Sequence, residues 1–104
     1  MTKVFWTDGA TAKRHAAIEH IARDNLETAL KQLGQVMTQT ERLVRFPQLG
    51  RPGQLKGTRE LSITRTRFVV VYRIIGENIQ IMRFLHTSKA LITFLRPDTA
   101  RRRH

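Results

Sequence analysis

The sequence predicts an α+β fold of order β-α-α-β-β-β, with a mainly antiparallel four-stranded sheet and a helical hairpin packed on one of its faces. Three observations carry this prediction. Two consecutive stretches in the first half repeat apolar residues at helical spacing. Three short runs rich in β-branched and aromatic residues follow in the second half. The links between those runs are short enough for hairpins, so the strands they join lie antiparallel. At 104 residues the chain has room for one core, expected over residues 1–96, with residues 97–104 as a flexible basic tail.

Val4-Phe5-Trp6 reads as the first strand. Thr7 or Asp8 is placed to cap a helix running to about Arg23, where Ala10, Ala17, Ile18 and Ile21 form a narrow apolar stripe. Asp24-Asn25 breaks that helix and opens a second, with Asp24 and Glu27 spaced as a capping box. Leu26, Ala29, Leu30, Leu33, Val36, Met37, Leu43 and Val44 continue the second helix to Phe46-Pro47, where the residue before proline leaves the α region. Gly34 inside it costs about 1 kcal/mol of helix propensity relative to alanine, tolerable if a neighbouring backbone packs there. Arg51-Pro52-Gly53-Gln54 fits a type II turn with Gly53 at positive φ. Strands are then expected at Arg59–Ile63, Phe68–Ile75 and Ile79–His86, and Ser88–Arg96 as a last helical turn or an extension.

Phe68 to Tyr72 is apolar at every position. Because alternate strand residues face opposite sides, this strand requires cover on both. Ile79, Ile81 and Leu85 are expected on one face of the last strand, with Met82 and Phe84 on the other. Two helices shield one side only, so either the 88–96 segment or a partner polypeptide covers the second.

Composition narrows the function. Hydrophobic residues at 40% exclude intrinsic disorder. The longest apolar run has five residues, against the roughly 20 of a bilayer-spanning helix. Met1 to Trp6 enters a strand pattern rather than a secretory signal, and the absence of cysteine excludes disulfides and thiolate sites. A cytoplasmic location without membrane association is the expectation. The net charge of +11 exceeds the magnitude of about 2 to 8 that solubility needs, and favours a polyanionic partner.

The basic residues gather late: Arg51, Lys56, Arg59, Arg65, Arg67, Arg73, Arg83 and Lys89. They read either as a surface for phosphate or carboxylate groups or as charges guarding strand edges. His15 and His20, five apart, do not share a helix face and make no metal pair. His86 ends the last strand, where it either serves as a general acid or base or bonds to nearby backbone. No cofactor motif, metal-ligand spacing or catalytic triad is present in the sequence.

Phe46-Pro47-Gln48-Leu49-Gly50-Arg51-Pro52-Gly53, Gly57-Thr58-Arg59-Glu60-Leu61, Val69-Val70-Val71-Tyr72-Arg73-Ile74 and Ile81-Met82-Arg83-Phe84-Leu85-His86-Thr87-Ser88 follow one another in an order and spacing that resembles the RelE/ParE toxin superfamily. Trp6-Thr7, Ile18 to Asn25 and Ala29 extend the resemblance to about nine-tenths of the chain. It implies a type II toxin silenced by a small, acidic, DNA-binding antitoxin that wraps around it, with operator DNA reached only through the antitoxin. Candidate antitoxin contacts are Leu30, Met37, Phe68, Met82 and Phe84. The resemblance implies one of two targets, DNA gyrase for ParE-like members or ribosome-bound mRNA for RelE-like nucleases. Candidate target contacts are Arg51, Arg59, Arg73, Arg83, His86 and Lys89; for a nuclease, the catalytic set would be Arg65, Arg67, Arg83, His86 and Lys89. RelE-like nucleases carry two lysines on the second strand and an arginine early in the third. Glu60, Ser62 and Val69 stand there instead, and only Lys89 matches a basic catalytic position. The resemblance is therefore to the ParE-like branch, and a gyrase inhibitor rather than an enzyme is the expectation.

Overall fold

The computed structural model describes residues 1–87; the expectations for Ser88–Arg96, the 97–104 tail and Lys89 lie outside them. The elements are β1 (Val4–Trp6), α1 (Asp8–Asp24), α2 (Leu26–Glu41), a 3-10 turn (Arg42–Val44), β2 (Arg51–Pro52), β3 (Arg59–Ser62), β4 (Phe68–Ile75) and β5 (Asn78–His86). They build an α+β fold in which one sheet runs in the order β1-β5-β4-β3-β2. β1 lies parallel to β5, and the other neighbours are antiparallel. No helix among the described residues is long and apolar enough to cross a membrane.

Side-chain caps set the helix ends. The Thr7 hydroxyl oxygen accepts from Ala10 N–H at 3.1 Å and donates to Met82 O at 3.2 Å, so one group starts α1 and fastens it to β5. Asn25, not Asp24, caps α2. Its backbone is extended, its N–H donates to Ile21 O at the end of α1, and its side chain accepts from Thr28 N–H at 3.0 Å. Glu27, expected in a capping box, pairs instead with Lys31 at 3.2 Å.

Three further expectations change. The sheet has a fifth strand, because Arg51 and Pro52 pair with Glu60 and Arg59 rather than forming a type II turn. Proline is tolerated there because an outer strand need not donate from every residue. Positive φ occurs at Gly57, Gly76 and Arg65, not at Gly53. No neighbour approaches Gly34, which is exposed; a Cβ there would meet nothing within 4 Å.

The third change concerns side-chain direction. Val71 pairs with Arg83, but Tyr72 pairs with Ile81, leaving Met82 as an extra residue in β5. A bulge of this kind reverses the alternation beyond it. Ile79, Ile81 and Phe84 therefore share the helix-covered face, where strict alternation would have separated them, and all three are buried. They join Ala10, Val36, Leu43, Leu61, Ile63, Phe68, Val70 and Tyr72 in one core. The Phe68 and Phe84 rings pack at 4.7 Å. The opposite face carries Glu60, Val69, Val71, Arg83 and Leu85 by the same register.

Candidate functional site

Two surfaces concentrate the candidate functional residues. The first is the sheet face turned away from the helices. Arg51, Glu60, Val71 and Arg83 lie in one row across four strands. The 53–58 loop borders a recess of about 90 Å³ above Glu60, Val71, Arg83 and Leu85. Arg51 Nη2 meets Glu60 Oε1 at 3.2 Å, and the Glu60 side chain is only 4% exposed. A buried carboxyl group needs such a hydrogen-bonding partner, so Arg51 is largely committed. Arg73 Nε donates to Gln80 Oε1 at 2.9 Å, while Arg83 is exposed and pairs with no described residue.

Arg59, expected as a target contact, is engaged within the protein. Its Nη1 donates to Gly50 O at 2.6 Å and Gln48 O at 3.4 Å, holding the loop that precedes β2. Tyr72 completes that anchorage, since its hydroxyl donates to Pro47 O and accepts from Gly50 N–H. Burial pushes the Tyr72 phenol above its ordinary pKa, against smaller opposing effects of the Gly50 hydrogen bond and the nearby Arg59 charge. Sequence reading missed this role because the loop's attachment joins residues 22 to 25 positions apart.

The nuclease candidates do not converge. Arg83 projects from the open face, whereas the His86 ring packs on Phe68 at 5.3 Å on the helix-covered side. Arg65 and Arg67 sit in the β3–β4 turn, with Arg67 O accepting from Thr87 N–H at 2.7 Å and from the Thr87 hydroxyl at 2.9 Å. Phosphodiester cleavage requires a preplaced proton donor and positive charge around one reacting phosphate. Arg83 and His86 stand on opposite sides of the sheet and do not supply that arrangement together.

The second surface is the outer side of the helical hairpin. Leu30 is 58% and Met37 41% exposed, and Leu26, Phe46 and Leu49 are exposed with them. Met37, Phe46 and Leu49 line an open groove of about 890 Å³ together with Arg42 and Arg45. Beside it, the Arg14 guanidinium lies 4.4 Å from the Trp6 ring centroid and contacts Met37 Sδ at 3.7 Å. Burial lowers the Arg14 pKa, and its Nε has no hydrogen-bond partner. Stacking on the indole face offsets part of that desolvation. Leu30 and Met37, two of the candidate antitoxin contacts, are thus exposed. Phe68 and Phe84 are not: at 1% and 3% exposure they belong to the core, Phe68 by alternation with Val70 and Tyr72 in β4 and Phe84 through the bulge at Met82. Met82 itself is half-buried. Leu26 in α2, and Phe46 and Leu49 in the loop after the 3-10 turn, were not among the candidate contacts; Leu26 lies one turn before Leu30 on the same helix face.

Comparison with known proteins agrees with this architecture. The family model for the ParE toxin of the parDE type II toxin–antitoxin system matches residues 4–91. The candidate toxin Y4kP of Sinorhizobium fredii is 27% identical over 84 residues, covering 81% of this chain and 86% of that protein. Among solved structures, a chain of the chromosomal ParDE toxin–antitoxin system from P. aeruginosa superposes with a TM-score of 0.74 at 31% identity. The match covers 85% of this chain and 98% of that one.

Proposed function

The chain belongs to the ParE toxin family of type II toxin–antitoxin systems, and on that basis we propose that it blocks replication by inhibiting DNA gyrase and is silenced by a cognate antitoxin. The observation that carries the choice of target is the pairing of Glu60 with Arg51 on the open sheet face. A carboxylate in the middle of that face opposes the negative charge that develops on a phosphodiester in cleavage. Separation of Arg83 from His86 by the thickness of the sheet supports the same reading. What remains is a basic surface, led by Arg73 and Arg83, suited to binding a macromolecule rather than to covalent chemistry.

The antitoxin reading rests on the exposed apolar ridge of Leu26, Leu30 and Met37, continued by Phe46 and Leu49. Large apolar side chains grouped on a rim of Arg14, Arg42 and Arg45 suit an apolar segment that carries acidic residues. Its occupation would hold the toxin in a complex, and operator DNA would be reached through the antitoxin alone. The setting is the cytoplasm, where gyrase works.

Purified chain added to a gyrase supercoiling reaction tests the target. Inhibition at micromolar toxin, with accumulation of cleaved DNA, is the expected result. Unaffected gyrase together with toxin-dependent mRNA cutting in a toeprinting assay would replace this reading with a ribosomal one.

A further inference from the structure

We propose that a cleft between α1 and the ends of β4 and β5 binds the phosphate of a nucleotide, with Lys13 and His20 on one wall and His86 on the other. Lys13, Ala16, Ala17, His20 and Ile21 repeat at helical spacing and put one face of α1 along the cleft. Ala17 packs against the core and Ala16 is exposed, and beside these two short side chains lies a space of about 420 Å³. Phe68 and Phe84 lie beneath, and the His86 ring rests against Phe68 at 5.3 Å. That contact holds the imidazole at the rim.

Charge identifies the ligand class. No carboxylate among the described residues lines the cleft. Two acids of the hairpin are paired elsewhere, Glu19 with Arg23 and Glu27 with Lys31, while Lys13 and His20 form no ion pair with a described residue. The donors that face the space are therefore an ammonium and two imidazoles, which suit an anion with several acceptor oxygens. Size argues against a bare anion. The volume lies within the range of about 300 to 1,000 Å³ typical of small-molecule sites, and its walls are largely apolar. A planar, weakly polar body attached to the phosphate fits that lining, with the His86 ring as a stacking surface for a base.

The same chemistry is offered by a free nucleotide and by a nucleotide within a single strand. Ring signals of His20 and His86 in the full chain, followed by NMR, distinguish them during titration with 5′-adenosine monophosphate, a short single-stranded oligonucleotide, inorganic phosphate and adenosine. Saturable shifts of both histidines are expected with the monophosphate or the oligonucleotide, at least about tenfold tighter than with inorganic phosphate or adenosine. Tighter binding of the monophosphate assigns a free nucleotide, and tighter binding of the oligonucleotide assigns a single strand. Lys13→Ala, at an exposed position, is expected to weaken binding about tenfold with an unchanged fold. Equal affinity for inorganic phosphate, indifference to Lys13→Ala, or silent His20 and His86 signals would each overturn the proposal.

Discussion

The Tyr72 hydroxyl accepts a hydrogen bond from Gly50 N–H at 2.8 Å, and a Cβ on Gly50 would stand only 2.7 Å from the Tyr72 ring. The contact joins the centre of the sheet to the loop that carries the helical hairpin into β2. It also explains why glycine occupies position 50: the same Cβ would approach Glu60 O at 2.7 Å.

Tyr72→Phe is therefore expected to cost about 1–3 kcal/mol, because Gly50 N–H and Pro47 O lose a buried partner while the ring volume is kept. Denaturant unfolding measures the loss. An unchanged midpoint would show that water replaces the hydroxyl freely.

The same phenol predicts the alkaline limit of stability. Burial raises its pKa above the ordinary 10.0, so the unfolded chain loses this proton at a lower pH than the folded one. Stability from this group is complete below about pH 10 and falls as pH rises from there through the folded-state pKa. Unfolding midpoints measured across that range should fall less steeply in Tyr72→Phe than in the parent chain.

Gly34→Ala tests the opposite kind of glycine. The position is in α2, is exposed and has open space where a Cβ would go. Removing the conformational freedom of glycine from a helix interior stabilises by about 0.5–1 kcal/mol. Thermal unfolding should show a raised midpoint.

Leu30→Asp addresses the partner ridge. Leu30 is exposed in the free chain, so the substitution should leave folding within about 0.5 kcal/mol of the parent. If the ridge is the antitoxin contact, affinity for the cognate antitoxin falls by about tenfold or more. Calorimetry on the purified pair reads both quantities. An unchanged affinity moves the interface elsewhere.

Arg83→Glu addresses the target. Arg83 is exposed and pairs with no described residue, so its charge can be reversed with little cost to the fold. On the proposed reading, gyrase inhibition weakens by about tenfold and toxicity falls, while antitoxin binding on the hairpin persists. Supercoiling assays at matched concentrations provide the measure.

Much of this protein could be read along the chain. The helix periods, the residue types in β1, β4 and β5, and the Thr7 cap express local rules acting over one to four residues, and the structure obeys them. The ordered motifs from Phe46 onward were enough to place the chain in its family. The substitution of Glu60 and Ser62 for strand lysines was also visible, and it already argued against a nuclease.

Tertiary structure decided the rest, because those outcomes depend on groups brought together from distant positions. Whether Phe84 faced a partner or the core turned on one unpaired residue, Met82, whose effect on alternation exists only once β5 is aligned with β4. Whether Arg59 met a target or its own loop turned on the carbonyls of Gln48 and Gly50. Side-chain type along the strand specified which residues could be buried or charged; strand register specified where each one pointed.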